Sequence, residues 1–332
     1  MAGISKYLVR RGLTLIPTVL GVLLITFFIG YVIPADPARA WAGGEKADPN
    51  TARELAKRYH LDEPFWSQFY WMVRGLLTNA IESPVRDKPI FDLIFYRLPT
   101  TVQLALFTEI IAVLFGIPMG IIAALKKDTW IDSSIRIWAL VGTSLPVFWF
   151  GYLLIYVFYI RLPWTDLTGV PRPSSTITGL PVLDAIILGD WDVFFAIIKR
   201  FWLPSFMLGI LFAGTIARYL RNTLLDFLQS ETILFAKSKG LPPLWVWKHA
   251  LKNSLIPVVT IIGFGFGSLL GGAVITETVF SLPGLGRLTI EAIYNLDFPV
   301  IIGTTLFFAI IVVLTSLIVD IIYSLIDPRV RL

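Results

Sequence analysis

The sequence predicts an all-α, polytopic membrane protein with six transmembrane helices. Of its 332 residues, 56% are hydrophobic and only 15% are charged, whereas a soluble domain carries about 25% charged residues. Six apolar runs are long enough to cross the hydrocarbon core as helices, which takes about 20 residues. They are Leu13–Ile33, Leu98–Leu125, Ile135–Ile160, Phe201–Leu220, Leu255–Ile275 and Pro299–Leu325.

Composition excludes several classes of function. The chain has no cysteine, so a disulfide framework, a thiolate metal site and a Cys nucleophile are ruled out. Its two histidines, His60 and His249, are too few for an imidazole-based catalytic or metal cluster. The net charge of +5 is expected to fix orientation in the membrane, so we predict a lipid bilayer as partner and no nucleic acid.

The first run follows Lys6, Arg10 and Arg11 and exceeds the apolar core of a signal peptide, which spans about 7–15 residues. We therefore expect it to be a retained span. With alternating sides, the two faces of the membrane receive equal numbers of Lys and Arg, and the bare count decides nothing. Long outer stretches contribute little to orientation. The cations near the span ends therefore favour both termini in the cytoplasm.

The chain is expected to divide into residues 1–97, an anchor helix with an outer helical region, and residues 98–332, a membrane core with a cytoplasmic coupling segment at 221–257. In the outer region, Asp48 and Pro49 predict the start of a helix over Thr51–Tyr59. Pro64 opens a second helix, which has its apolar face at positions 65, 69, 72 and 76. The later outer stretch from Pro163 to Pro181 has the composition of a loop.

Glycines form a four-residue ladder on the fifth run, at Gly263, Gly267 and Gly271. A bare groove of this kind lets helices approach closely in lipid. The sequence leaves open whether the partner helix belongs to this subunit or to a second one. No phosphate-cradling Gly-x4-Gly-Lys-Ser/Thr motif occurs, so the chain has no recognisable nucleotide site of its own.

Two carboxylates stand out as candidate pathway or gate residues. Glu109 lies in the middle of the second run, where a charge costs about 2.5–3.5 kcal/mol on insertion scales. It is either a pathway contact or a protonated acid bonded to a neighbouring helix. Glu277 precedes a Pro-Gly-x-Gly turn, and we favour a gate lining a cavity over an ordinary exposed turn. The candidate gate residues are Glu277, Phe280, Pro283 and Gly284.

A basic segment separates the fourth and fifth runs. Gly240 favours a helix stop, and Pro242 and Pro243 predict the start of a second short helix. An interfacial amphipathic helix would explain the lysines and tryptophans but not the break between two helices. We therefore interpret the segment as a docking surface for a cytoplasmic partner.

These residues resemble a known family. Ala236–Leu241 (AKSKGL), Lys248–Asn253 (KHALKN) and Pro257 are similar to the cytoplasmic coupling motif of ABC-importer permeases, in the spacing of dipeptide, oligopeptide and nickel permeases. Three further stretches resemble the same family, namely Ile33–Pro37, Glu277–Gly286 and Asp327–Arg331. The likeness covers essentially the whole chain. The six-span layout with a long first outer loop resembles the "B" type of the heterodimeric pair.

The wider superfamily opens its coupling motif with an acidic residue and two alanines. This chain has Leu234, Phe235 and Ala236 there, so only Ala236 and Gly240 carry over from that pattern.

The resemblance implies a type I ABC importer permease fold without enzymatic activity and without a cofactor in this chain. It implies a homologous second permease subunit, two ABC ATPase subunits that bind ATP and magnesium, and an extracytoplasmic solute-binding protein. The chain would lie in the plasma membrane, the inner membrane of the cell. The ATPase-coupling residues would be Glu231, Phe235, Ala236, Lys237, Lys239, Gly240, Leu241, Leu244, Lys248 and His249.

The expected solute is a di- or oligopeptide. An oligosaccharide such as a short glucan is the alternative, since the outer loops are rich in tryptophan: Trp41, Trp66, Trp71, Trp164 and Trp191. An ion-coupled secondary transporter is a lower alternative, because it would need midplane carboxylates and an internal repeat. Glu109 alone gives it thin support. An intramembrane hydrolase would need a nucleophile with a base or paired aspartates within the spans, and Asp320 is the only aspartate there.

Overall fold

The chain is built from helices, which confirms the predicted all-α class. The computed structural model describes residues 2–32, 36–42, 44 and 48–326. Within that part of the chain there is no strand, and only an isolated bridge joins Glu82 to Pro89. The helices are α1 (Ala2–Phe27, extended by a π-helical turn Phe28–Val32), α2 (Pro37–Trp41), α3 (Pro49–Arg58), α4 (Phe65–Leu77), α5 (Ile90–Leu125), α6 (Trp130–Ser144), α7 (Val147–Ile155, extended by a π-helical turn Tyr156–Arg161), α8 (Pro181–Leu188), α9 (Trp191–Leu228), α10 (Glu231–Ser238), α11 (Pro243–Leu270), α12 (Val274–Val279), α13 (Leu285–Tyr294) and α14 (Phe298–Ile326).

Four described helices are long and apolar enough to cross a membrane: α5, α9, α11 and Phe298–Val319 of α14. Helices α6 and α7 give a fifth if they form one span, and they bend by 99° at their junction. Pro146 explains the bend, since it holds Leu145 in an extended conformation (ψ 130°). In α1 the apolar stretch Ile16–Gly30 is shorter. A polytopic protein is therefore confirmed, and the count of six spans stays a prediction.

The chain forms two compact units, Met1–Thr101 with Leu270–Val313, and Val102–Leu269 with Leu314–Leu332. In the first unit, Asp48 caps α3 by accepting the backbone N–H of Thr51 (3.3 Å), as the sequence predicts. Helix α4 also presents its predicted apolar face. Phe65 and Phe69 pack edge-on against the Phe27 ring, with centroids 5.1 and 5.3 Å away. On the same face Met72 and Leu76 are buried.

The second unit is built around the close approach of α5 to α9. A Cβ at Gly116 would lie 2.9 Å from the carbonyl oxygen of Ala213, and one at Gly120 would lie 2.9 Å from that of Ala217. Bare backbone at these two positions therefore lets the helices touch, as small residues do in membrane helix pairs. Side chains from α5, α9 and α11 fill the adjoining core, namely Ala112, Ile216, Leu220 and Val258.

The glycine ladder of α11 packs within this subunit at the two positions where its contacts are described. A Cβ at Gly263 would overlap the Val319 side chain of α14. At Gly267 it would lie 2.6 Å from Cγ2 of Thr315, also on α14. The groove predicted from sequence is therefore occupied here by another helix of the same chain.

Two stretches that resemble the permease family lie partly or wholly outside the described residues. Residues 33–35 of the first stretch are outside, and so is the whole of the tail stretch 327–331.

Candidate coupling surface and buried carboxylates

Helix α10 ends in a left-handed turn at Gly240 (φ +74°), as its sequence predicts. The backbone N–H of Leu241 donates to the carbonyl of Ala236 (3.2 Å), and that of Gly240 donates to the carbonyl of Lys237 (2.9 Å). This pair of bonds is the Schellman motif, and it requires a positive φ at the residue after the cap. Gly240 therefore fixes the direction in which the chain leaves α10.

The bend between α10 and α11 is anchored by a small apolar core. Ile233 of α10 and Val246 and Ala250 of α11 are buried together with Ala124 and Leu224. Leu241, a predicted coupling residue, is half-buried against this cluster. The anchoring makes the bend a defined element, so a force applied to α10 or to the start of α11 would reach the ends of α5 and α9.

The opposite face of this bend is exposed and apolar. Phe235 is 60% exposed, Leu244 79% and Trp245 52%. Two lysines lie over the aromatic rings. Nζ of Lys239 is 4.5 Å from the Phe235 ring centre, and Nζ of Lys248 is 5.1 Å from the Trp245 ring centre. Large exposed apolar side chains with cations beside them are typical of a protein or membrane interaction site.

The remaining predicted coupling residues lie on or beside this patch. Glu231 opens α10 after Ser230 and is exposed. Lys237 and His249 are exposed as well, and Ala236 is half-buried. We call the exposed residues of α10 and of the first turns of α11, from Glu231 to His249, the coupling surface.

The prediction of a second short helix is wrong. Pro242 and Pro243 do start a helix, but α11 runs without interruption from Pro243 to Leu270, through Pro257. Proline has no N–H to donate and disfavours helix interiors, so the sequence favoured a break there. Packing of Ala250 and Val258 in the two adjoining cores holds the helix on both sides of Pro257. The coupling surface therefore continues directly into a span.

Glu277 is fully buried in the first unit, and it joins α12 to the start of α13. The hydroxyl of Thr101 donates to its Oε1 (2.6 Å), and the backbone N–H of Arg287 donates to its Oε2 (3.0 Å). Thr101 in turn accepts the backbone N–H of Leu285 (2.9 Å). The carboxylate thus satisfies orphan donors at the N-terminus of α13, where negative charge is favoured.

Most of the turn between α12 and α13 is buried, and only Ser281 is exposed. Phe280, Leu282 and Leu285 have no exposed surface, and Pro283 is half-buried. At Gly284 a Cβ would overlap the Glu277 carboxylate, so glycine is required there for close approach. An ordinary exposed turn, the alternative left open by the sequence, does not fit this burial. The role of these residues as a gate stays a prediction.

Folding stability should depend on pH through Glu277, which lies outside the candidate spans. Burial raises its pKa from 4.5 to about 7, against the opposing hydrogen bonds from Thr101 and Arg287. Because the pKa of Glu277 is higher in the folded than in the unfolded protein, protonated Glu277 stabilises the fold. This stabilisation is complete below the ordinary pKa of a glutamic acid and is lost as pH rises through 7. The loss amounts to about 3 kcal/mol.

Glu277→Gln has no proton to lose at this position. The free energy of unfolding, measured in detergent by denaturant titration, should therefore fall more steeply from about pH 5 to about pH 8 in the wild type than in the variant. Parallel pH profiles for the two proteins would contradict the assignment.

Sequence reasoning missed a buried ion pair in the second unit. Asp132 of α6 is fully buried. Arg221 of α9 donates to both of its carboxylate oxygens, from Nε to Oδ1 (2.5 Å) and from Nη2 to Oδ2 (2.6 Å). The backbone N–H of Asp128 donates to the same carboxylate (3.1 Å), and Nε of Arg136 lies 3.4 Å away. Bidentate pairing of this kind fixes geometry as well as charge.

A second missed cluster surrounds Glu291 on α13. Arg287 donates to its Oε1 (2.9 Å), and Arg86 and Arg97 approach its Oε2 at 3.2 and 3.5 Å. Arg86 also binds the buried carboxylate of Asp297 (3.1 Å). The cluster ties the segment before α5 to the segment after α12 within the first unit.

Glu109, the remaining predicted pathway residue, lies on α5 in the second unit. Its Oε2 is buried and has no hydrogen-bond partner among the residues that the structure describes. The described part of the chain also contains no group of three or more His, Asp or Glu that could hold a metal ion. The side chain of Asp320 lies outside the described residues.

Comparison with known proteins places these features in a family. A family model described as binding-protein-dependent transport system inner membrane component matches residues 116–332, and the model of its N-terminal region matches residues 4–105. A dipeptide transport system permease protein of Alkalihalophilus pseudofirmus is 40% identical over 330 residues, which cover 98% of this chain and 99% of the relative. The dipeptide transport system permease protein of Escherichia coli K12 is 34% identical, with 98% of each chain covered. A glutathione transport system permease protein of the same strain is 35% identical, with 98% and 99% covered.

Proposed function

Because this chain belongs to the family of binding-protein-dependent transport system inner membrane components, we propose that it forms half of a translocation pathway for di- or oligopeptides and is driven by ATPase subunits. Members of this family are the membrane permeases of ABC importers.

The coupling surface supports the proposal most directly. It exposes Phe235, Leu244 and Trp245 beside lysines, on a bend whose other face is anchored in a core. A helix lying at the membrane interface would also expose such residues, to lipid. That interpretation does not explain the Schellman turn at Gly240, which sets a fixed angle between α10 and α11. A rigid angle suits insertion into a cleft of a partner protein.

The coupling surface would act as a lever in the transport cycle. ATP and magnesium would bind to two partner ATPase subunits, and their closure would move α10 and the first turns of α11 as one body. Since α11 is continuous from Pro243 to Leu270, the motion would pass directly into the membrane. Glu277, Phe280, Pro283 and Gly284 would then close or open the outer side of the pathway. This chain would contribute no enzymatic step.

The assembly would contain a homologous second permease subunit, two ATPase subunits and an extracytoplasmic solute-binding protein. Both termini would be cytoplasmic in a multi-pass inner-membrane protein. Residues 1–97 would form the anchor and the outer helical region that receives the binding protein. Residues 98–332 would form the transport core.

Relatives named for dipeptide transport support a peptide substrate. Two of the tryptophans that suggested an oligosaccharide pack against other side chains of this chain, Trp41 as a buried residue and Trp71 as a half-buried one. Trp41 is buried and packs against Tyr59 and Phe298, and Trp71 stacks on His60 with ring centres 4.3 Å apart. Their packing weakens the oligosaccharide alternative.

Charge reversal on the coupling surface tests the proposal. The double variant Lys237→Glu/Lys239→Glu should still insert in the membrane, because both side chains are exposed. It should lose its ATPase partners on purification and lower ATP-driven peptide uptake by at least tenfold. Arg53→Glu/Lys57→Glu, with the same change of charge on exposed positions of α3, is the matched control and should retain the ATPase subunits. Equal recovery of ATPase subunits with both variants would refute the docking role.

A further inference from the structure

Glu109 is an ionisable residue inside an apolar helix. Its Oε2 is buried and has no hydrogen-bond partner among the described residues. An intramembrane carboxylate is costly, and proteins that retain one pair it with a cation or place it on a substrate pathway. A cation that pairs with Oε2 would therefore come from outside the described part of this chain.

The carboxylate borders a small space at Gly265 of α11. A Cβ built on Gly265 would lie 3.7 Å from Oε2 of Glu109 and 3.7 Å from Cε1 of Phe212 on α9. Glycine thus leaves room for about one methyl group between a carboxylate oxygen and an aromatic ring. All three residues belong to the second unit.

The Glu109 side of this space suits an ammonium group. A carboxylate forms charge-assisted hydrogen bonds to ammonium at about 2.7–2.9 Å. The other side is the Phe212 ring, whose Cε1 and Cδ1 atoms lie 3.7 and 3.8 Å from the built Cβ. An –NH3+ group is close to a methyl group in size, and a rotation of the Glu109 side chain would shorten 3.7 Å to bonding distance.

We propose that Glu109 binds the α-ammonium group of the peptide as it crosses the membrane, an inference that rests on the proposed peptide-transport function. A dipeptide is a zwitterion, so its positive end would lose hydration where the pathway closes around it. Glu109 would replace part of that lost hydration, and Gly265 would leave the room for it. The site would recognise the free amino terminus that all unmodified peptides share, so it would contribute little selectivity among side chains.

Chemical labelling tests the inference on the whole complex. A hydrophobic carbodiimide reacts with carboxyl groups inside membranes, and mass spectrometry locates the product. In proteoliposomes with the ATPase subunits, the binding protein and ATP, Glu109 should be labelled without peptide. A mixed dipeptide pool should reduce that labelling at least tenfold. Equal labelling with and without dipeptides would overturn the inference, and so would absence of labelling in both, since Glu109 would then already be paired with another subunit.

Transport kinetics give the second test. Glu109→Gln and Gly265→Ala should each lower kcat/KM for dipeptide uptake by about 10- to 100-fold, the loss of a hydrogen bond to a charged group. In Gly265→Ala the added Cβ makes only ordinary van der Waals contacts, so this variant should fold normally. Gly142→Ala is its matched control in the same unit, with its Cβ 3.5 Å from Cδ2 of Leu211, and should change uptake less than twofold.

The two hypotheses fail in different ways. Uptake of dipeptides by the wild type and equally by Glu109→Gln would overturn the ammonium site alone. No dipeptide uptake by the wild-type complex would overturn the proposed function, and the inference with it.

Discussion

Gly240→Pro is expected to abolish ATP-driven uptake, with a loss of at least 100-fold, while membrane insertion and the amount of folded protein stay close to those of the wild type. Proline fixes φ near −65° and has no N–H. Gly240 has φ +74° and donates its N–H to Lys237. The substitution therefore destroys the turn that sets the angle between α10 and α11.

The expected loss of uptake is large because the substitution changes the direction in which the chain leaves α10, in addition to destabilising the turn. No atom lies within 4 Å of a Cβ built at Gly240, so crowding contributes nothing at that atom. The buried cluster around Ile233 and Val246 would still anchor each helix. However, the exposed faces of α10 and α11 could no longer both fit into the same cleft of an ATPase subunit. Uptake should be measured in proteoliposomes beside peptide-stimulated ATPase activity, and both should fall together.

Gly189→Pro is a matched control. Gly189 ends α8 with φ +70° and has no atom within 4 Å of a Cβ. Its turn has the same two bonds, from the N–H of Asp190 to Ala185 (2.9 Å) and from the N–H of Gly189 to Ile186 (3.2 Å). The backbone penalty is thus nearly the same, at a site distant in sequence from the coupling surface. Comparable loss of uptake in both variants would contradict a specific role for Gly240.

Local chemistry explains which elements were predictable from the sequence. Asp48 caps α3 across three residues, and Gly240 ends α10 through bonds over three and five residues. Pro64 likewise precedes the predicted apolar face of α4. Each of these patterns lies within one helix or its cap, so neighbouring letters of the sequence contain the whole cause.

Tertiary contacts explain what the sequence did not predict. Arg221 and Asp132 are 89 residues apart, and Arg86 and Glu291 are 205 apart. Charged residues of this kind look the same in sequence whether they are solvated or paired. The continuity of α11 through Pro257 is similar, since packing on both sides of the proline overrides its local preference. Glu277 was singled out by its sequence, but its role as a cap needed Thr101, which is 176 residues away.

Asp132→Asn is expected to have the second large effect, a loss of about 3–5 kcal/mol in the free energy of unfolding, because it leaves the guanidinium of Arg221 without its buried counter-charge. Arg221 is only 12% exposed, and Asp132 is fully buried. Arg136→Ala is the matched control. It removes a contact to the same carboxylate from a side chain that is 47% exposed, and such a pair is worth at most about 1 kcal/mol.

A double variant separates the cost of an orphaned charge from the value of the pair. In Asp132→Leu/Arg221→Met both charges are replaced by apolar side chains, and such replacements are often close to neutral. We expect it to recover most of the stability lost in Asp132→Asn. Denaturation in detergent, followed by tryptophan fluorescence, gives the comparison, and a loss in Asp132→Asn no greater than in Arg136→Ala would contradict the prediction.

Since α9 leads into α10 through Gln229 and Ser230, the pair also fixes the helix from which the coupling surface extends. The double variant should therefore fold well yet transport poorly if charge pairing, beyond packing, positions that surface.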